Sequence, residues 1–135
     1  MSGLSITNRQ VQGIVIVDLD GKVLIGETNS QLHEALRNLV AEGKKNVVLN
    51  LAKVSAIDSS GLGEIVAGYS TLRAAGGTLK LINMPARVTD IMTITKLYTV
   101  FDIFDTEAEG IASFETDGGA SGQPAVQAKA TSTLL

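Results

Sequence analysis

The sequence predicts a single α/β domain, in which about four helices cover a mixed β-sheet of about five strands that begins with an antiparallel hairpin. Three observations indicate this class. Strand-length runs of β-branched residues alternate with stretches of helical periodicity, and the first two such runs follow one another without a helix between them. The 135 residues are 44% apolar but only 4% aromatic, without Trp. Such a core must be built from Ile, Leu, Val and Ala, as suits strands backed by helices.

The first two predicted strands form the hairpin. Residues Leu4–Arg9 and Gly13–Leu19 have strand composition, and the chain turns around Val11-Gln12-Gly13. Asp20-Gly21 predicts a turn that ends the second strand. This hairpin supplies the antiparallel part of the sheet.

A helix is predicted next, through about Glu42, with Gly43 as its stop. Its apolar stripe comprises Leu32, Leu36, Leu39 and Val40. Three residues compete as its N-terminal cap, namely Thr28, Asn29 and Ser30.

The third strand leads into the most informative segment of the chain, Asp58–Gly63. Lys45–Leu51 has the content and length of a buried strand, and Lys53 and Ser55 lie in a short polar link after it. A second helix is predicted beyond the link. Its apolar face has helical spacing and consists of Leu62, Ile65, Val66, Tyr69 and Leu72.

The loop entering the second helix carries two adjacent hydroxyls, Ser59 and Ser60. Helix N–H groups and the helix dipole favour negative charge at such a position, so a phosphate would be tolerated there. An ordinary N-terminal cap gives the same pattern. Two observations argue against a routine cap. A capping box counted from Ser60 needs an acidic or amide residue three positions later, whereas Glu64 lies one residue beyond that position. Two glycines in the first turn also lower helix propensity by up to ~1 kcal/mol each. From the residues alone, a serine switch and a simple cap are both open.

The rest of the chain continues the alternation. Gly76-Gly77 precedes a short strand at Thr78–Ile82, Pro85 opens a third helix, and a last strand is predicted at Thr99–Ile103. A fourth helix is predicted around Glu107 to Phe114. Strands separated by helices require right-handed crossovers and a largely parallel sheet.

The domain is predicted to span residues 1–114. A chain of this size has enough apolar content for one core. From residue 115 onward, Gly, Ser, Gln and Pro lead into an Ala/Thr/Ser-rich end without aromatic residues. Residues 115–135 are therefore expected to form a disordered tail.

Within this pattern, Asp58-Ser59-Ser60-Gly61-Leu62-Gly63 resembles the motif of the STAS domain in bacterial anti-sigma factor antagonists. The resemblance covers roughly residues 4 to 114 and includes Val47–Leu51, Gly76-Gly77 and Ile94–Leu97. Gly21–Glu27 departs from the family pattern, in which a Gly-Glu-Leu/Asp type turn commonly precedes the first helix. The resemblance implies a STAS-like sheet and helices.

The resemblance also implies a phosphorylation-switched binding module that is not an enzyme. In the family, the serine directly after the aspartate is phosphorylated, which places the phosphate on Ser59. The unphosphorylated form would bind an anti-sigma factor that is an ATP-dependent serine kinase and free a sigma factor, and a phosphoserine phosphatase would be a further partner. The implied partner-binding residues are Asp58, Ser59, Ser60, Gly61, Leu62, Gly63 and Glu64. On the exposed side of the following helix, Ser70 and Arg73 are also expected to belong to this surface.

Two alternatives are open. One is a STAS module of another partner-switching or stressosome-like assembly, which would share the fold and the serine switch. The other is a small nucleotide-binding domain or enzyme. His33 is the single histidine and is interpreted as a polar or half-buried helix residue, and Ser59 does not lie in the Gly-x-Ser-x-Gly turn of a hydrolase. The residues after Gly63 lack the third glycine of a dinucleotide site.

Composition argues against other classes of function. The chain has no Cys, and pairs such as Asp18 and Asp20, or Asp102 and Asp105, are interpreted as solvated surface, so no metal or other cofactor is expected. A net charge of -3 gives no basic footprint for nucleic acid. No apolar segment approaches the ~20 residues of a membrane span. A cytoplasmic location is expected.

Overall fold

The computed structural model describes residues 4–24 and 27–117. Its strands are β1 (Leu4–Val11), β2 (Ile14–Val23), β3 (Asn46–Ile57), β4 (Thr78–Ile82) and β5 (Asp102–Phe104). Its helices are α1 (Glu27–Ala41), α2 (Ser59–Ala74), α3 (Ala86–Thr95) and α4 (Glu107–Asp117), with a 3₁₀ turn at Leu97–Thr99. The strands form one sheet in the order β1-β2-β3-β4-β5, antiparallel between β1 and β2 and parallel elsewhere. The predicted mixed sheet and opening hairpin are confirmed.

The hairpin turn consists of two residues, Gln12 and Gly13. Both have positive φ, at 55° and 80°. Two such residues twist the chain in the sense that adjacent antiparallel strands need, which is why two-residue hairpin turns favour them. The tight turn lets β1 run to Val11, two residues beyond the predicted end.

The predicted turn at Asp20-Gly21 is wrong, because β2 continues through it to Val23. Gly21 has φ 127°, which a glycine adopts without strain, and the register with β3 shifts on both sides of it. The strand therefore bulges without ending. Its last residue, Val23, pairs with Ile57.

The predicted polar link after the third strand is also wrong. Lys53 and Ser55 belong to β3, which is twelve residues long. This segment stays in the strand because β2 extends beside it. Asp20 pairs with Lys53, and Gly21 pairs with Val54. The longer strand carries the chain directly to Asp58.

Helices cover the sheet on both faces. The larger core lies between one sheet face and α1, α2 and α3, and it includes Leu36, Ile65 and Met92. The smaller core lies on the opposite face under α4, where Ile16 and Val48 are packed with partly buried residues of that helix. The chain is thus a three-layer arrangement with the sheet in the middle.

Lys80 anchors α4 to this second face. Its side chain is fully buried, and Nζ donates to Ser113 Oγ at 2.8 Å. The ammonium also lies 4.2 Å from the centroid of the Phe114 ring and 3.9 Å from a carboxylate oxygen of Asp102. Sequence reasoning did not identify Lys80, since alternation alone does not show that a lysine points inward.

Several element boundaries differ from the predicted ones. Thr28, Asn29 and Ser30 lie inside α1 and not before it. The chain turns at Lys96, whose φ is 63°, and forms the 3₁₀ helix, so the last strand begins at Asp102 and not at Thr99. Helix α4 continues to Asp117, and the remainder of the predicted tail, residues 118–135, lies outside the described residues.

Among the described helices, none has both the length and the apolar character needed to cross a bilayer.

A polar network ties β1, β2 and β3 to the start of α4. Arg9 donates from Nε to Asp18 Oδ2 at 2.6 Å and from a second nitrogen to Glu107 at 2.8 Å. Asn50 donates to the same Asp18 carboxylate, and Asn83 donates to Asn50. The Arg9 hydrogen bond is the main reason why the pKa of Asp18 lies below its ordinary value.

We expect Asp18→Asn to reduce the loss of stability in acid. A carboxyl whose folded pKa is depressed contributes stability above about pH 4, the pKa of an unfolded Asp, and loses it as the pH falls through the folded value. Because Arg9 is 40% exposed, solvent limits the effect to about 1 kcal/mol or less.

Urea denaturation between about pH 7 and about pH 3 measures this contribution. The wild type should lose more free energy of unfolding than Asp18→Asn over that range. Asp20→Asn, at an exposed carboxylate two residues along β2, should follow the wild type. Equal losses in all three proteins would show that the Arg9 contact adds nothing.

Candidate functional site

The predicted site lies where β3 ends and α2 begins, at the carboxyl ends of the parallel strands. Asp58 has extended backbone geometry, and its Oδ1 accepts the Gly61 N–H at 2.7 Å. Its carbonyl accepts the first intrahelical bond, from Leu62 N–H at 2.9 Å. Asp58 is therefore the N-cap. Ser59 and Ser60, expected in the loop or as the cap, are the first two residues of the helix.

The two serines differ in exposure. Ser59 is exposed, whereas Ser60 is half-buried. At the first helical positions their N–H groups have no intrahelical acceptor, and the positive end of the helix dipole is nearby. A negatively charged group on Ser59 would thus be solvent-accessible and close to donors.

Gly61 fixes the position of the helix start. A Cβ atom there would overlap the Val23 carbonyl and lie 2.9 Å from Val23 Cγ1. The Asp58 N–H also points to the Val23 oxygen, at 3.4 Å. The first turn of α2 therefore rests directly on the end of β2, which only a residue without a side chain permits.

Gly63 has the opposite environment. It is exposed, and a Cβ atom there would meet nothing within 4 Å. The two glycines of the motif are thus separable: Gly61 is required by packing inside the domain, and Gly63 leaves open space on the surface beside Ser59.

An exposed stripe runs from this turn along α2. Ser59, Gly63, Ser70 and Arg73 are all exposed, and their spacing places them on one side of a helix. Arg73 donates to the Tyr69 hydroxyl at 3.2 Å. Gly61 and Leu62, which were included in the predicted contact surface, are buried and can only support it from below.

Glu64 points in a different direction from that expected. It is 29% exposed and faces α1, where its Oε1 lies 3.2 Å from Nδ1 of His33. His33 is 38% exposed, as its interpretation as a half-buried helix residue required. The contact between the two residues was missed, although the helical period places Glu64 on the same side as Gly68, which also meets α1.

The titratable groups near Ser59 are engaged in contacts within the domain. The described residues contain no cluster of three or more His, Asp or Glu side chains that could hold a metal ion. The carboxylate next to Ser59 is engaged in capping α2, and the imidazole of His33 contacts Glu64. The distinctive feature is an exposed hydroxyl on a fixed helix start.

Comparison with known proteins identifies the family of the chain. The STAS domain model matches residues 5–110. The anti-sigma F factor antagonist of Paenibacillus polymyxa is 26% identical over 115 residues, which cover 83% of this chain and 96% of the relative. The anti-sigma-B factor antagonist of Bacillus subtilis is 35% identical over 79 residues, which cover 58% of this chain and 71% of the relative. The predicted family resemblance is confirmed.

Solved structures show the same fold. The anti-sigma factor antagonist SpoIIAA in its unphosphorylated form has a TM-score of 0.62 at 21% identity, and the match covers 82% of this chain and 98% of SpoIIAA. Bacillus SpoIIAA in the phosphorylated form has a TM-score of 0.63 at 20% identity, covering 80% and 97%. The STAS-like character of the predicted fold is therefore confirmed.

We expect Gly61→Ala and Gly63→Ala to have opposite effects on stability. The methyl group of Gly61→Ala must displace either the Val23 backbone or the first turn of α2, at a cost of about 1–3 kcal/mol for overpacking. Gly63→Ala meets open space in a helix and should stabilise the domain by up to about 1 kcal/mol. Urea denaturation compares the two. Similar free energies of unfolding for both variants would contradict the packing role of Gly61.

Proposed function

The chain belongs to the STAS domain family, and from this premise we propose that it is an anti-sigma factor antagonist of the cytoplasm, switched by phosphorylation of Ser59. Its unphosphorylated form binds a kinase-type anti-sigma factor and thereby frees a sigma factor. Relatives named as anti-sigma factor antagonists, and SpoIIAA solved in both phosphorylation states, support this proposal. The domain is the substrate of a kinase and a phosphatase and is not itself an enzyme.

The observation that carries the proposal is the exposure of Ser59 at the first position of a helix whose start is fixed. The hydroxyl is reachable by a kinase without local unfolding. Asp58 and Gly61 hold the turn through bonds and contacts that do not involve the Ser59 side chain. The residue can therefore change its charge while the fold stays the same.

The physical basis of the switch is the contrast between a small neutral hydroxyl and a phosphate. With Ser59 unmodified and open space at Gly63, a partner backbone can approach α2 closely. Phosphorylation adds about -1.5 to -2 charges beside the Asp58 carboxylate, with a hydration shell that contact would have to remove. Repulsion and desolvation both oppose the complex, so the partner is released.

Ser59 is expected to be the phosphoacceptor, and half-buried Ser60 is not. Incubation with ATP and the kinase recovered from native cells, using Ser59→Ala protein as bait, should label wild type and Ser60→Ala stoichiometrically. Ser59→Ala should incorporate no phosphate. Mass spectrometry locates the modified residue. Labelling that persists in Ser59→Ala and disappears in Ser60→Ala would assign the switch to the other serine.

Phosphorylated protein should bind the purified kinase about a hundredfold more weakly than unmodified protein, which corresponds to about 3 kcal/mol. Ser59→Asp should weaken binding in the same direction, although one carboxylate carries less charge than a phosphate. Ser59→Ala should bind like unmodified wild type. Calorimetric titration measures the affinities.

The control for the binding experiment is a test of whether the phosphorylated protein is still folded. A phosphate at a helix N-terminus gains from nearby N–H groups, so circular dichroism and the thermal midpoint should stay nearly unchanged on phosphorylation. Loss of the helix signal would mean that release reflects unfolding. Equal affinities of Ser59→Asp, phosphoprotein and Ser59→Ala would refute the repulsive switch.

A further inference from the structure

Helices α1 and α2 meet at two successive contacts near the Ser59 turn. At Gly68, a Cβ atom would overlap the Leu36 side chain, so the two helices approach closely there. One turn earlier on both helices, Glu64 of α2 faces His33 of α1. The first contact is apolar and brings the helices together, and the second places two polar side chains against each other.

Glu64 has one oxygen that water cannot solvate. Its Oε1 is buried, and the described residues provide it with no completed hydrogen bond. The nearest polar atom is His33 Nδ1, at 3.2 Å. A buried carboxylate oxygen without a donor is unfavourable by several times the net worth of an ordinary hydrogen bond. His33 is the group in position to satisfy it.

The imidazole can do so in only one of its neutral forms. If the hydrogen is on Nε2, the Nδ1 lone pair faces the carboxylate oxygen and the two repel. If the hydrogen is on Nδ1, that nitrogen donates to Oε1 at normal hydrogen-bond distance. On this side of the sheet, β1 and β2 contribute apolar side chains such as Ile6 and Val23, which have no hydrogen to donate to Oε1. Arg37 lies one turn further along α1 than His33.

We propose that His33 carries a hydrogen on Nδ1, donates it to Glu64 Oε1 and so acts as the positioning residue for Glu64 at the partner-binding surface. The consequence for binding rests on the proposed function. Glu64 lies one turn beyond Ser60 on the same side of α2. With Oε1 held against α1, the exposed part of the Glu64 side chain has one orientation, and the recognition surface extends from α2 to His33 on α1.

The hydrogen position is tested without any partner. His33 is the single histidine of the chain, so long-range ¹H–¹⁵N correlation spectra of uniformly labelled protein report this imidazole alone. The spectrum of the neutral ring should show Nδ1 protonated in the wild type. Glu64→Ala, which removes the acceptor, should return the ring to the Nε2–H form that predominates in water. An Nε2–H ring in the wild type would overturn the assignment.

The role in binding is tested with two substitutions of His33. The amide nitrogen of His33→Asn can replace the Nδ1 donor, whereas His33→Leu keeps the bulk and removes it. Titration with the purified kinase recovered by the Ser59→Ala bait should give about tenfold weaker binding for His33→Leu and at most about twofold for His33→Asn. Circular dichroism verifies that both variants are folded at the titration temperature.

The outcomes separate this inference from the proposed function. If Ser59→Asp and Ser59→Ala differ in affinity but His33→Leu binds like the wild type, the positioning role is wrong and the switch stands. If Ser59→Asp and Ser59→Ala bind equally, the switch is wrong, and the imidazole spectra still decide where the hydrogen lies. Equal weakening by His33→Leu and His33→Asn would overturn the donor role.

Discussion

The contact between Gly61 and the end of β2 is the constraint on which the candidate site depends. Because no side chain separates them, the first turn of α2 lies directly on the Val23 carbonyl. Val23 can be there only because β2 continues through Gly21. Gly21 has the backbone freedom that lets β2 continue, and Gly61 has no side chain to keep α2 away from it. Together the two glycines determine the position of Ser59.

In the same turn, the residues that stabilise the helix start are different from the residue proposed to be phosphorylated. The Asp58 carboxylate satisfies the helix start, and Gly61 and Leu62 fill the space under it, while the Ser59 hydroxyl takes no part in either. A modification of Ser59 therefore changes the charge seen by a partner without removing an internal contact. Such an arrangement suits a residue that is repeatedly modified and restored, since each state must be stably folded.

Much of the fold could be predicted because apolar periodicity reports burial directly. The face containing Leu62, Ile65 and Leu72 was assigned correctly as the buried side of α2. The turn predicted at Asp20-Gly21 was wrong because turn propensity depends only on local sequence. It does not include the neighbouring strand, which keeps the chain extended. Ser59 and Ser60 were considered as possible caps, since sequence alone does not show that β3 runs to Ile57 and leaves Asp58 as the N-cap. The inward direction of Glu64 and of Lys80 depends on which helix covers each position, which is tertiary information.

Helix α2 therefore has two functional sides with different tolerances. The outer side, with Ser59 and Gly63, has space around it and can accept a charge or a partner. The side toward α1, with Glu64 and Gly68, is constrained by Leu36 and His33. Because both sides of α2 begin at the same turn, a partner that binds the outer side would also touch the edge of the contact between α1 and α2. In the proposed switch the on/off response comes from Ser59, whereas discrimination among partners can arise from this edge, so the two properties can vary independently.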